Sequence, residues 1–532
     1  MRTATTLGLA VALTFAALNA GTAAKRKKKP PPPPPLTNNP VEHYGIAWTG
    51  EAKWDRLVVV TNYPGDSWDA RFSAAQADLV KRGGGVVFFP AGTYDFKDTI
   101  RLENHVIIRG AGRGTARRQH FKPATRFNFP KYKPKCEDKG TPNNTAFKGI
   151  ELKDPNRTTH CGVVGIDIRH GHILFGCDIY QRQQFIDGFK DYGRNHIVYG
   201  CRLTHAAILD PNIPQDFQHA WQRWTHRHNA AIEIRANCNV LVANNRLPRS
   251  ELAGITPGNP GPDRYDFHMP GYKIKQGNKE VARDDVWFRY DNRPGIYVNY
   301  GKTEGTPESH PYCFSKGIDI RENYVYCYGC LAIGFSGDGT YCGHNTVRYS
   351  PNAYLPIFDG KSFSHFTNNN RAIEMRGWRW VVAYNNYEVH SNTQPTGQFG
   401  GHYGDGEGIM HEAHHNCTIK DSKLIYNSGN RRLYLWRVPI DGLEVRGNIV
   451  RERICIQGQV HQAKTLHPIK NVHVIENHCE NLIRFHGTNA GGNIIRGNRC
   501  TAPTPGNIEL TMEGVTVEDN INYNVTDRLT YR

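Results

Sequence analysis

Eight segments of the chain repeat one short phrase: an apolar alternation, two further residues, then an amide. They run LVANN to Asn245, IDIREN to Asn323, CGHN to Asn345, VAYNN to Asn386, LEVRGN to Asn448, VHVIEN to Asn477, IIRGN to Asn498 and TVEDN to Asn520. TIKDS sets Ser422 in the same slot, and HILFGCDI and HIVYGCRL set Cys177 and Cys201 there, 24 residues apart. A strand-type alternation recurring about every 22–29 residues predicts an all-β solenoid. No unit buries its apolar face alone, so the units stack and share one core.

The spacing also predicts where the chain departs from bare turns. Successive slots lie 24, 44, 78, 22, 41, 36, 26, 29, 21 and 22 residues apart, so the excess falls between 201 and 422. The intervals of 44, 78 and 41 leave room for further, degenerate turns. Inserts in a repeat array gather on one face and often build its binding site. The expected organisation is a secretion signal over 1–24, a basic polyproline linker over 25–45 and one β domain over 46–532, with inserts mainly between 203 and 410.

The signal reading rests on Arg2, an apolar stretch from Leu7 to Leu18 and a small-residue cleavage site. That stretch is too short to span a bilayer. The protein is therefore expected to be exported, released or held at the cell surface by the basic tail. Lys25–Lys29 and Pro30–Pro35 form a charged, stiff, extended spacer. A net charge of +17 on 532 residues favours an acidic partner. No nucleic-acid module is recognisable, so an acidic polysaccharide fits better. The 13 cysteines are an odd number, and Cys327-Tyr-Gly-Cys330 lacks the βαβ context of a redox site. A capped array needs no second copy, so a monomer is expected.

Residues 66–112 form a second signature. Asp66–Arg82 reads as an amphipathic helix with Phe72, Ala75, Leu79 and Val80 on one face, stopped by Gly83–Gly85. Paired short strands follow. Such a helix would cover the raw edge of the first turn. The run GGGVVFFPAGTYDFKDTIRLENHVIIRGAG resembles the opening of the pectate-lyase-like superfamily of right-handed parallel β-helices. That superfamily includes polysaccharide lyases, polygalacturonase-type hydrolases, uronan epimerases and phage tailspikes. The resemblance implies the fold and a carbohydrate-related role. One fold hosts many reactions, however, and neither the polygalacturonase motif series nor the Trp-Ile-Asp-His motif of classical pectate lyases occurs here.

Candidate site residues follow from strand phase. Ala-Ile232-Glu233-Ile234-Arg235 and Ala-Ile373-Glu374-Met375-Arg376 share residue types, and Gly-Ile409-Met410-His411-Glu412 follows the same phase. Alternation points Ile232, Ile234, Ile373 and Met375 inward, and Glu233, Arg235, Glu374 and Arg376 outward. Arg376 and Glu412 would be neighbours if no turn intervenes. The loop GGHYGDGEG brings His402, Tyr403, Asp405 and Glu407 toward them. In this reading Arg376, with Arg235 as a second cation, binds a substrate carboxylate. Glu374 sits beside Arg376, and His402 or Tyr403 transfers a proton. Asp405, Glu407 and Glu412 offer oxygen ligands to Ca2+. A second cluster, Trp221, Trp224, His226, His228 and Glu233, offers aromatic faces and polar groups to sugar rings. The plain alternative is an ion-pair ladder on the sheet and tryptophans packed on its wall. His411-Glu-Ala-His-His415 matches a zinc-protease pattern, but that chemistry needs a helix and the phase here is a strand's.

Three functions remain open. β-Elimination on a uronate needs its C5 carboxylate neutralised and a base for the neighbouring proton, which suits the Arg-plus-carboxylate cluster. A glycoside hydrolase would need two carboxylates flanking the bond. A surface glycan binder or adhesin would need neither.

Overall fold

The structure is a computed structural model. It describes residues 37–111, 121, 123–130, 148–154, 157–176, 193–204, 230–235, 238–247, 266–268, 272–276, 279–283, 287–289, 295–299, 315–328, 331–350, 356–358, 361–362, 371–389, 407–412, 418–436, 438–458 and 466–527. Short parallel strands pair turn upon turn into three long sheets. One bare turn shows the unit: Leu433–Trp436 in the first sheet, Ile440–Arg446 in the second and Ile449–Val450 in the third. The chain then returns to the first sheet at Arg453–Gln457, where Leu433 pairs with Ile454. Parallel strands joined by such crossovers wind right-handed. The chain is thus a right-handed parallel β-helix.

Each strand's inward residues form the core. Ile232, Ile296, Ile333, Ile373, Ile409, Leu433 and Ile454 lie side by side on successive first-sheet strands, all essentially buried. Two corners hold the turn. At both, a residue in the left-handed region (for instance Asn239 and Asn244, φ 53° and 52°) bends the strand without a loop. The residue after the second bend is a buried amide. Asn245, Asn323, Asn345, Asn385, Asn427, Asn448, Asn477, Asn498 and Asn520 form one ladder. From Asn323 on, each Oδ1 accepts from the backbone N–H and the Nδ2 of the turn before; Asn385 Oδ1 takes them at 3.0 and 2.9 Å from Asn345. The second Nδ2 hydrogen goes to a carbonyl, as from Asn385 to Cys342 O at 2.9 Å. Buried amides are tolerated only when satisfied in this way.

This ladder revises two assignments made from sequence. The ladder residue of VAYNN is Asn385, while Asn386 opens the third-sheet strand Asn386–Val389 and is exposed. Ser422 lies at the other corner, after Asp421 at φ 43°, where its Oγ accepts from Trp380 N–H at 3.1 Å. Asn427 holds the slot instead. Cys201 does occupy it, its N–H donating to Asn245 Oδ1 at 2.9 Å; Cys177 lies outside the described residues. The long intervals hide no further turns. Cys201 bonds Asn245 directly, Asn245 bonds Asn323, and Asn345 bonds Asn385.

The helix Trp68–Lys81 caps the first turn, with Ser67 Oγ accepting from Ala70 N–H at 3.2 Å. Phe72, Ala75 and Leu79 are buried over the core, each large side chain contributing roughly 1.5–3 kcal/mol. Val80, expected on that face, is 41% exposed. Gln76 takes the place, bonding Arg101 O and Glu103 N–H at 2.9 and 3.1 Å. Gly84 has φ +95°, and a Cβ there would stand 2.2 Å from His105 Cβ. Only glycine ends the helix so close to the next strand.

Residues 38–54, partly assigned to the linker from sequence, instead form a strap across the outer face of the second sheet. Arg109 Nη1 donates to Asn38 O at 2.9 Å, and Tyr44 donates to Glu322 at 2.9 Å. Val41 and Trp54 pack on Val86, Ile107, Ile197 and Leu241. Near the strap, His160 Nε2 lies 3.0 Å from Glu51, and its ring stacks on His105 at 5.2 Å. Burial holds the pKa of both rings below the ordinary 6.5. His467 and His486 are lowered for the same reason. Folded imidazoles with depressed pKa stay neutral while the unfolded chain takes up protons. Stability is therefore full above 6.5 and falls as pH drops below it. Urea midpoints should decrease between about pH 7.5 and about pH 5.5, and less steeply in His105→Gln/His160→Gln. An unchanged slope in that variant would refute the assignment.

Candidate site on the outer face of the first sheet

Four inserts, 205–229, 248–295, 351–370 and 390–406, leave the same corner, between the third and first sheets. Two of them join. Trp287–Arg289 pairs antiparallel with Pro356–Phe358, so the 248–295 insert builds one sheet with the 351–370 insert. The outer face of the first sheet lies beside this corner.

The strand phase read from sequence holds there. Ile232, Ile234, Ile373 and Met375 are fully buried in the core. Glu233, Arg235, Glu374 and Arg376 take the opposite face, yet they are only 2%, 3%, 1% and 8% exposed. They form two compact ion-pair groups. Arg235 Nε donates to Glu233 Oε1 at 2.6 Å. Arg371 Nη1 donates to Glu374 Oε2 at 2.6 Å, and Arg376 pairs with the same carboxylate. Sequence reasoning missed Arg371. The strands Ile296–Asn299 and Leu331–Asp338 separate the two groups, about 14 Å at normal strand spacing.

Along one outer row run Glu233, Tyr297, Gly334, Glu374, Met410, Tyr434, Cys455 and Arg484. Met375 pairs with His411, so the register sets Glu412 beside Arg376. Glu412 in turn pairs with Trp436. Tyr434 and Trp436 stack at 5.6 Å and 20°, both half-buried. Tyr434 donates to Gln457 Oε1 at 2.8 Å, and the Arg432 guanidinium lies 4.9 Å over its ring. Sequence reasoning also missed Arg432, Tyr434 and Trp436. The signal was present: in RRLYLW the leucines must face inward, which leaves two large aromatics on an outer face that is normally polar.

Trp221, Trp224, His226, His228, His402, Tyr403 and Asp405 lie outside the described residues, as do the side chains of Glu407 and Glu412. Cys327 and Cys330 also lie outside, so far as their side chains are concerned. Among the described residues no group of three His, Cys, Asp or Glu gathers as metal ligands. His411 sits on the strand Glu407–Glu412, fully buried against Trp380, which removes the helical geometry a zinc protease needs. The cysteines Cys161, Cys201, Cys238, Cys342, Cys455, Cys479 and Cys500 are free thiols. Burial pushes Cys161 and Cys201 up to about 12 and Cys455 up to about 11, so these three are thiols, not thiolates, at neutral pH.

No protein-family profile matches the chain, and no curated protein matches it in sequence. Solved structures do. PfbA, a surface adhesin of Streptococcus pneumoniae, is similar at 13% identity over 89% of this chain and 93% of its own, with a TM-score of 0.45. The catalytic unit of a thermostable alpha-1,3-glucanase from Streptomyces thermodiastaticus matches at 12% over 89% of this chain and 68% of its own, TM-score 0.43. The A-module of an Azotobacter vinelandii mannuronan C-5 epimerase matches at 11% over 88% and 99%, TM-score 0.34. At such identities a likeness concerns the path of the chain and not its chemistry.

Proposed function

We propose that the protein is an exported carbohydrate-active enzyme that cleaves an acidic, uronate-containing polysaccharide by β-elimination. The observation that supports this is the arrangement on the outer face of the first sheet. There the Arg371–Glu374–Arg376 group lies two strands from the stacked Tyr434–Trp436 pair. Aromatic faces suit pyranose rings, and a guanidinium suits the uronate carboxylate. Arg376 neutralises that carboxylate, which acidifies the C5 proton. His402 or Tyr403, on the insert just before the strand of Glu412, is the base. Asp405, Glu407 and Glu412 are oxygen donors of the type Ca2+ takes. No helix among the described residues is long and apolar enough to cross a membrane.

A second reading, a non-catalytic glycan binder, is favoured by one observation. Arg376 and Arg235 each already hold a neighbouring carboxylate, and such a guanidinium must be shared to serve a substrate. Ultraviolet absorbance of unsaturated uronate products separates the two. The mature protein is incubated with a panel of uronate polymers, with Ca2+ and with chelator. A rise on one polymer, reduced about 100-fold or more in Arg376→Ala when assayed below the variant's own melting temperature, is expected. Arg376→Lys keeps the charge and should retain more activity than Arg376→Ala. No rise on any polymer sinks the lyase. Reducing ends without absorbance would then mean hydrolysis, and neither signal would mean a binder.

A further inference from the structure

Beyond the four inserts, the same corner between the third and first sheets becomes bare. There, over the turns that carry 432, 451–453, 480–482 and 502–506, a cleft of about 530 Å3 opens. Arg432, Arg451 and Arg453 supply its cations, and Glu452 and Glu480 its carboxylates. Glu452 is already held by Arg431, Nη1 to Oε1 at 2.5 Å. Arg451 is exposed and Arg453 half-exposed, and neither forms an ion pair with a described residue. Leu433 pairs with Ile454, so Arg432 and Arg453 stand on adjacent strands, about 4.8 Å apart at the backbone. Gly506 lines the same cleft; a Cβ there would meet Asn481 O at 2.1 Å. The cleft leads directly to the aromatic pair, because Arg432 lies over Tyr434 and Tyr434 stacks on Trp436.

We infer that this cleft is a subsite for one anionic pyranoside unit, whose carboxylate or sulfate sits between Arg451 and Arg453. Planar guanidinium forks match either oxyanion in two-point contact. The rest of the glycan runs over Arg432 toward Tyr434 and Trp436. The inference rests on the acidic-glycan part of the proposed function, but not on β-elimination.

Fluorescence anisotropy with three end-labelled probes tests it: an oligouronate, its methyl ester and a sulfated oligosaccharide. Wild type should bind at least one anionic probe. Arg451→Ala/Arg453→Ala, which removes no described ion pair, should bind that probe roughly 10–100-fold more weakly. Its dependence on salt should flatten, and its melting temperature should stay put. The ester should bind weakly and alike to both proteins. Equal affinity of wild type and double variant for the anionic probe overturns the subsite, as does failure of wild type to bind either anionic probe. Binding of the sulfated probe alone keeps the subsite and removes the uronate substrate. Oligouronate binding that the double variant weakens, without any absorbance rise, keeps the subsite and removes β-elimination.

Discussion

Replacing Asn385 with leucine lowers the urea midpoint steeply, whereas replacing Asn386 with alanine leaves it where it was. The two amides are neighbours in sequence and differ only in phase. Asn385 is buried; its Oδ1 accepts from Asn345 N–H and Nδ2, and its Nδ2 donates to Cys342 O and Asn427 Oδ1. Leucine keeps the bulk but takes their partner from a backbone donor, a side-chain donor and the Cys342 carbonyl in a dry corner, while Asn427 Oδ1 keeps only the backbone N–H of residue 385. At about 1–3 kcal/mol for each buried orphan, the loss should be at least about 3 kcal/mol. Asn386 is exposed, and a surface change of this kind stays within about 0.5 kcal/mol. Circular dichroism through a urea titration reads both. Equal effects at the two positions would mean that the ladder runs through the wrong residue.

Asp167→Asn should be nearly as damaging, by a different route. Asp167 is fully buried on the outer side of the third sheet and holds three guanidinium groups. Arg126 Nε and Arg202 Nη1 reach it at 3.0 and 3.1 Å, and Arg169 Nε at 3.5 Å. Burial, with Arg169 and Arg246 nearby, lowers the pKa of Arg202, and Asp167 opposes this. Without the carboxylate the cations repel one another in a poorly hydrated place. Breaking a buried pair by removing one partner costs about 3–5 kcal/mol, discounted here because Arg126 and Arg169 keep some contact with water. Asp167 pairs in register with Arg202. Asp167→Leu/Arg202→Leu should therefore recover part of the loss, since apolar replacement of both partners is often neutral. Added sulfate should raise the melting temperature of Asp167→Asn more than that of the wild type. If neither recovery occurs, the damage is not electrostatic.

Much of this architecture was legible because it rests on a local rule repeated many times. A bend in the left-handed region followed by a buried amide leaves a phrase that survives in eight places. The two slips have one cause. Both corners are built as a left-handed residue followed by a buried small or polar one, so Asp421-Ser422 at one corner reads like Tyr426-Asn427 at the other. In VAYNN, aligning Val382-Ala383 with Val242-Ala243 selects Asn385; the second amide competes for the slot because LVANN also ends in two. The outward phase of Glu233, Arg235, Glu374 and Arg376 was also legible, since alternation alone decides it. Their burial was not, because it depends on what lies over the sheet and has no period. Arg451 and Arg453 went unnoticed for a similar reason. Arg451 sits in a turn and Arg453 at the first residue of a strand, where residue type says little until neighbouring turns are stacked.

The strap has a consequence for how the molecule comes apart. A stack whose turns touch only their neighbours melts from its ends, one turn at a time. Residues 38–54 cross five successive strands of the second sheet, from Arg109 to Glu322. No turn beneath the strap can open without loosening it, and the strap cannot lift without exposing them all. The first half of the β-helix should thus open as a single cooperative block. The turns after Asn345, which no described segment straps in this way, should exchange their amide hydrogens in a graded series toward the far end.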